Sequence, residues 1–230
     1  MTLDYYDLKR EEIGPLLPQR ATRVLDVGCG RGATTRWLKT IYPNARFEGI
    51  EINGSLSNEL SEVYDKFYIA NLSIEVPEVN KFDLVLLLDV LEHTVDPLHV
   101  LKKLVSFAES DAVLIVSVPN VAHYSVAAPL FFHGRFEYSD MGILDRTHLR
   151  FFVRESAVEL MNSAGLRVVD GVVNGLQGSR AKLVDRLTFG RFRSLLVKQY
   201  IMKAVLNPGN TPQGEIDWRP SQDELASADT

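Results

Sequence analysis

The chain has 230 residues, 46% of them hydrophobic and 24% charged, with a formal net charge of −5. These values suit one sizeable globular domain and give no global sign of a nucleic-acid-binding or membrane-surface protein, although a locally basic patch remains compatible with them. The single cysteine, Cys29, excludes an internal disulfide and fits a reducing compartment. Met1–Tyr6 lacks a basic region followed by an apolar run, so no secretory signal is expected. No apolar run approaches the ~20 residues that span a bilayer, and the expectation is a cytoplasmic protein without a membrane span.

In chain order, Asp7–Leu17 reads as a short amphipathic helix closed by Gly14-Pro15 and Pro18. Arg23–Val27 is predicted as strand one, Thr34–Tyr42 as a helix stopped at Pro43, and Arg46–Glu51 as strand two. Leu56–Tyr64 makes a second helix and Phe67–Ile69 a short third strand. Phe82–Leu88 is a continuous apolar run of strand length, which suits a buried parallel strand. Pro97–Phe107 follows as a helix with Asp96 as N-cap and Pro97 at its first position, and Val113–Val118 is another buried strand.

Alternating strands and helices with short connections imply a parallel sheet between helical layers. The rhythm breaks at Pro119. Asn120–Arg150 is aromatic, histidine-rich and irregular, and is read as a lid over a site. Glu155–Ala164 resumes as a helix, Leu166–Val173 as a strand, Arg180–Leu187 looks helical, and Leu195–Leu206 contains a last strand. Residues 1–206 are thus read as one domain and 207–230 as a polar tail, rich in proline and glycine. The stretch from Arg180 to Lys203 carries seven cations against Asp185 and reads as a solvated face or as an anion-binding one.

The stretch Val24-Leu25-Asp26-Val27-Gly28-Cys29-Gly30-Arg31-Gly32 runs from a strand through a glycine turn into a helix. Such a turn lets backbone approach a ligand, and the helix start offers free N–H groups. Gly28-x-Gly30-x-x-Ala33 with Glu51 about twenty residues on also satisfies a permissive dinucleotide fingerprint. A pyrophosphate would sit badly beside Asp26, whereas S-adenosylmethionine (SAM) is cationic and suits an acid there.

The pattern Leu25–Gly32 resembles motif I of the class I SAM-dependent methyltransferases. That resemblance implies a Rossmann-like α/β fold with a mostly parallel seven-stranded sheet and an antiparallel C-terminal strand, matched here to Gln199–Val205. It implies that Gly28, Gly30 and Gly32 shape the cofactor loop, that Asp26 orients the methionine end and that Glu51 holds the ribose. Asn71 with Leu72 falls beside the adenine, with Asn71 where the family commonly has Asp. Asp89-Val90-Leu91-Glu92-His93 is similar to the segment beneath the transferred methyl. Ser117–His123 and Gly142–Phe152 look like a bacterial subgroup that acts on small molecules or sugars and is often found near or fused to glycosyltransferases.

Asp89, Glu92 and His93 leave strand four together, and His123 and His148 come from the lid. Asp89 fits a cofactor- or amide-binding role, Glu92 and His93 could cap the next helix, and His148 could be a satisfied histidine. Alternatively His93 or His148 serves as general base for an alcohol acceptor. A third reading is a divalent metal on Asp89, Glu92, His93 and His148. That spacing resembles ubiquinone-pathway O-methyltransferases and small-RNA 2′-O-methyltransferases, with Asp in place of Glu at the first position.

Cys29 lacks a partner base in its motif, and Tyr5 and Tyr6 either close over a sulfonium or anchor the first helix. Phe131, Phe132, Phe136 and Tyr138 with Arg135 line a substrate cleft or form a small core of their own. The expected activity is methyl transfer from SAM to oxygen of a small molecule or sugar. A metal-assisted transfer to RNA, a SAM-binding module without catalysis and an NAD-dependent oxidoreductase are the alternatives, and the negative net charge disfavours RNA.

Overall fold

The structure, a computed structural model, describes residues 8–176, 186–188, 190–209 and 211–221. Eight strands form one sheet in the order β3-β2-β1-β4-β5-β7-β6-β8. They are β1 (Arg23–Val27), β2 (Arg46–Glu51), β3 (Lys66–Ile69), β4 (Phe82–Leu88), β5 (Ala108–Pro119), β6 (Leu166–Asn174), β7 (Gln199–Leu206) and β8 (Trp218–Pro220). β7 runs antiparallel to both β5 and β6, and the other pairings are parallel. The helices are α1 (Ala33–Ile41), α2 (Ser57–Val63), α3 (Pro97–Ser106), α4 (Tyr124–His133) and α5 (Arg154–Ser163).

Because successive strand side chains point to opposite faces, the apolar run of β4 feeds both layers. Leu84 and Leu86 pack with Leu38 of α1, Leu60 of α2, and Ile13 and Leu16 of the 3₁₀ segment. Val85 and Leu87 pack with Leu101 and Leu104 of α3 and Met161 of α5. Asp96 accepts a hydrogen bond from the His99 amide at 2.9 Å, which caps α3 as its sequence predicts.

From β1 the chain moves outward through β2 to β3, then returns to lay β4 on the other side of β1. This reversal leaves a crevice beyond the carboxyl ends of the strands, where doubly wound sheets bind ligands.

Four expectations are corrected. The first helix is a 3₁₀ segment over Glu11–Leu16, since Pro15 has no N–H to donate within so short a helix. β5 begins at Ala108, five residues early, through a register irregularity opposite Phe82–Leu84. The lid is not wholly irregular, because α4 occupies Tyr124–His133 and ends at Gly134 with φ of 62°. Its residues are apolar on nearly every side, so it shows no amphipathic stripe to read.

The segment beyond 206 is not only a polar tail. β8 adds an eighth strand beside β6, and Gln213 bonds the backbone of Val168 at 2.7 and 3.1 Å. Residues 180–185 of the expected helix lie outside the described residues; Arg186 and Leu187 are helical.

Trp218 stacks edge-on against Tyr200 with centroids 5.1 Å apart and covers Gly171, where a Cβ would meet its ring at 2.6 Å. Trp218→Ala is therefore expected to destabilise the protein by about 1–3 kcal/mol, less than a fully buried tryptophan. Urea denaturation checks this; a change within about 0.5 kcal/mol would be that of an unattached tail.

Candidate functional site

The turn after β1 is built from backbone constraints. Gly28, Gly30 and Gly32 have φ of 69°, 52° and 77°, a region that L side chains rarely adopt. A Cβ on Gly28 would lie 2.6 Å from Val90, and one on Gly32 2.8 Å from Val63. The amides of Gly28 and Cys29 both donate to the Ile50 carbonyl, at 2.8 and 3.2 Å, fastening the turn to β2. Glu51 completes the fastening. One of its oxygens accepts from the Gly30 amide at 2.9 Å, the other from the amides of Ile52 and Asn53 at 3.0 and 2.9 Å.

Beyond this turn lies a cavity of about 430 Å³, within the range of small-ligand pockets. Its wall includes Asp26, Gly28, Gly30, Glu51, Asn71, Leu72, Asp89 and His93, which brings together most of the residues singled out from sequence. Gly32 and His148 are not part of this wall. Gly32 instead starts α1, and Asn71 spends its side-chain oxygen on the Ser73 amide at 2.9 Å.

Asp26 is buried and accepts hydrogen bonds from Thr35 and Tyr64, each at 2.8 Å. Burial outweighs those bonds and pushes its carboxyl up to about 6. Two carboxylates, Asp26 and Glu51, thus flank the loop. This wall suits a ligand with an ammonium, a sulfonium and a ribose, and is poor for a pyrophosphate.

Asp89, immediately after β4, has φ of 58°, a strained value for a residue with a side chain. Its carboxylate is fully engaged, by Arg10 at 2.7 Å, Ser117 at 2.8 Å and Gln199 at 2.5 Å. Arg10, itself buried, also pairs with Glu12. Arg10, Ser117 and Gln199 were not identified from the sequence, because they converge from three distant segments with no local motif.

Glu92 and His93 follow on a 3₁₀ turn, Leu91–His93. Glu92 is 1% exposed, and neither carboxylate oxygen has a hydrogen-bond partner among the described residues. Burial, followed by the nearby Asp89 charge, pushes its pKa well above the ordinary carboxylate range, so it holds a proton more readily. Its own carbonyl accepts from the Leu149 and Arg150 amides at 2.7 and 3.0 Å, which pins the lid to the site.

His93 and His148 meet edge to face with centroids 4.7 Å apart. His148 Nδ1 lies 3.0 Å from the Ile143 carbonyl, and His93 Nδ1 lies 3.3 Å from the Thr147 carbonyl and 3.0 Å from its hydroxyl. A carbonyl accepts only from N–H, so Nδ1 of each ring carries a proton, and in a neutral ring Nε2 is then the lone-pair nitrogen. His93 Nε2 is buried without a partner, and burial, then His148, lowers its basicity and keeps it neutral.

Donor atoms of Glu92, His93 and His148 lie within 4.8 Å of one another. A carboxylate with two oriented imidazoles fits a divalent cation, and the partnerless oxygens of Glu92 are accounted for by one. Asp89 is excluded from this group, because Arg10, Ser117 and Gln199 hold it. Of the four residues in the alternative metal reading, three converge.

From the segment expected to be a lid, Thr147 alone among the described residues is in the cavity wall. Phe136, Tyr138 and Phe151 form their own cluster with centroids 5.6 to 6.3 Å apart, and Phe131 and Phe132 point to solvent, so these lid aromatics do not line the cleft. His123 caps α4 by accepting from the Ser125 amide, a structural role. Cys29 faces the cavity but is largely buried, and its thiol is pushed far above neutrality. Tyr5 and Tyr6 lie outside the described residues.

The profile of the family described as Methyltransferase domain matches residues 4–170. The chain belongs to that family, and its sheet and cofactor-binding crevice are those of the Rossmann-like SAM-dependent methyltransferases. Among curated proteins it is similar to an (S)-tetrahydroprotoberberine N-methyltransferase of Eschscholzia californica, 24% identical over 69% of this chain and 46% of that one. It is also similar to the mitochondrial ubiquinone biosynthesis O-methyltransferase of Candida albicans, 29% identical over 50% of this chain and 36% of that one. The chain thus spans less than half the length of either. Among solved structures, the O-methyltransferase of a trans-AT PKS multienzyme of Brevibacillus brevis, in complex with S-adenosyl-L-homocysteine, superposes with a TM-score of 0.60. It is 15% identical and covers 95% of this chain and 80% of its own. No helix among the described residues is long and apolar enough to cross a membrane.

The state of Asp26 gives a pH signature. In the free protein its carboxyl holds a proton below about 6, and a cationic ligand favours the ionised form, so SAM binding should strengthen as pH rises through that value. Calorimetry near pH 5 is expected to give roughly tenfold weaker affinity than near pH 7.5, and Asp26→Asn should bind weakly with no such slope.

Proposed function

We propose that this chain transfers a methyl group from SAM to a hydroxyl of a small molecule or sugar, with His93 as proton acceptor. The observation that carries this reading is His93, which lines the same cavity as the glycine turn and Glu51 and whose Nε2 has no hydrogen-bond partner among the described residues. When bound, SAM supplies an electrophilic methyl on a sulfonium, which leaves as the neutral thioether.

The chain's residues have three tasks. Glu51 and the backbone after β3 fix the nucleoside, with Asn71 and Leu72 along the adenine, while Asp26 attracts the ammonium of the methionine end. Asp89, tied to Arg10, holds the end of β4 in its strained form and so fixes where His93 begins. His93 Nε2 takes the hydroxyl proton as the acceptor oxygen bonds to carbon, and His148 holds the His93 ring edge-on.

A second reading has an observation of its own, the three converging donors. Glu92, His93 and His148 would hold a divalent cation, which would polarise the acceptor hydroxyl as a Lewis acid. The ubiquinone-pathway relative favours oxygen as the acceptor atom, and the N-methyltransferase relative favours nitrogen. The oxygen reading rests on the nearby base, which a hydroxyl needs more than a neutral amine does.

The test is a transfer assay with radiolabelled SAM against panels of hydroxylated small molecules, free sugars and RNA. Label is expected on a small hydroxylated acceptor; label on RNA alone, or SAM binding with no transfer to any panel, would contradict the proposal. With the acceptor found, His93→Ala should lower kcat about 10²–10⁴-fold while KM for SAM changes little. Metal analysis and exhaustive chelation separate the two versions: full activity of metal-free protein favours His93 as base, and loss restored by a divalent cation favours the bound metal.

A further inference from the structure

Helix α4 has the composition of a core helix and the position of a surface one. Of Tyr124–His133 only Val126 is buried, while Phe131 and Phe132 are 83% and 72% exposed and Leu130 is about half exposed. The two phenylalanine rings stack edge to face on each other, 5.0 Å between centroids, and neither has another aromatic partner among the described residues. Met141 of the following segment and Phe192 are exposed as well. Monomeric soluble domains rarely leave adjacent large apolar side chains this exposed on one helix.

The neighbouring element supplies charge of one sign. The short helix Arg193–Leu196 packs against α4. The stretch 186–198 around it contains Arg186, Arg191, Arg193 and Lys198 and no acidic residue. Arg186, Arg191 and Lys198 are exposed. An apolar helix face beside an arginine- and lysine-bearing segment, with the acids Glu137 and Asp140 confined to the turn that follows it, is the pattern of a surface that lies in the headgroup layer of a membrane.

We infer that α4, together with Arg186, Arg191, Arg193 and Lys198, docks on an anionic lipid bilayer, with Phe131 and Phe132 entering the boundary of the acyl region. A second copy of the chain fits poorly, since a twofold contact through this face would set its arginines against one another. A single-stranded nucleic acid would use the aromatic rings but would leave Leu130 and Met141 without stacking partners. The segment that follows α4 carries Thr147 to the cavity wall, so the docking helix and the cavity are linked through the chain.

The test uses the full chain and sedimentation with vesicles of phosphatidylcholine alone or of phosphatidylcholine with phosphatidylglycerol at about 7:3, in roughly 0.15 M salt. Binding at least about tenfold stronger to the anionic vesicles is expected, declining as salt rises. The double variant Phe131→Glu with Phe132→Glu should lose at least about tenfold in vesicle binding. Arg186→Gln with Arg191→Gln should lose the preference for anionic lipid. Both should keep the binding of S-adenosylhomocysteine, which shows that they fold and makes this test independent of methyl transfer. No binding to either vesicle by folded wild-type protein would overturn the inference. So would unchanged binding of the phenylalanine variant, or a stable dimer that the phenylalanine variant dissociates. Displacement from vesicles by an RNA oligonucleotide that binds more tightly would assign the surface to nucleic acid instead.

Discussion

The site depends on one constraint, the turn that carries the chain from β1 into α1 across three left-handed glycines. The turn leaves no room for side chains at Gly28 and Gly32, where Val90 and Val63 approach from other segments. Its backbone is fastened to β2 by the Ile50 carbonyl and by Glu51. Because β1 sits at the reversal of strand order, the same turn also forms the floor of the crevice. A substitution that lengthens or reorients it would move Asp26, Glu51 and the end of β4 together.

Four carboxylates at this end of the sheet show how environment divides one chemistry into separate tasks. Glu51 is bonded by three backbone amides, which fix its position between the turn and β2. Asp26, buried with two hydroxyl donors, keeps a proton more readily. Asp89 is neutralised by Arg10, and its bonds stabilise a strained backbone. Glu92 has none of these partners, which makes it the group that calls for a proton or a cation. These differences come from which segment faces each oxygen, and composition alone does not show them.

Much of the fold was legible because it follows local rules. The apolar run of β4, the cap at Asp96 and the glycine turn each announce themselves within a few residues, and they appear where expected. What was misjudged depends on distant partners or on weak patterns. β8 is three residues long and owes its place to Trp218 covering Gly171, which no local periodicity reveals. α4 hid because it is apolar without a stripe. In the site, Asp89 was read as a cofactor- or amide-binding residue, and its spacing also allowed a metal reading. The structure withdraws it through Arg10, Ser117 and Gln199, which lie between 28 and 110 residues away in sequence.

The central claim is that the turn, Glu51 and Asn71-Leu72 form a nucleoside site whose far end opens on His93. A crystal structure with S-adenosylhomocysteine tests it most directly. The account predicts the ribose on Glu51, the adenine along Asn71 and Leu72, and the sulfur facing the side of the cavity that holds His93. A ligand whose ribose lies away from Glu51, or whose sulfur is walled off from His93, would contradict it.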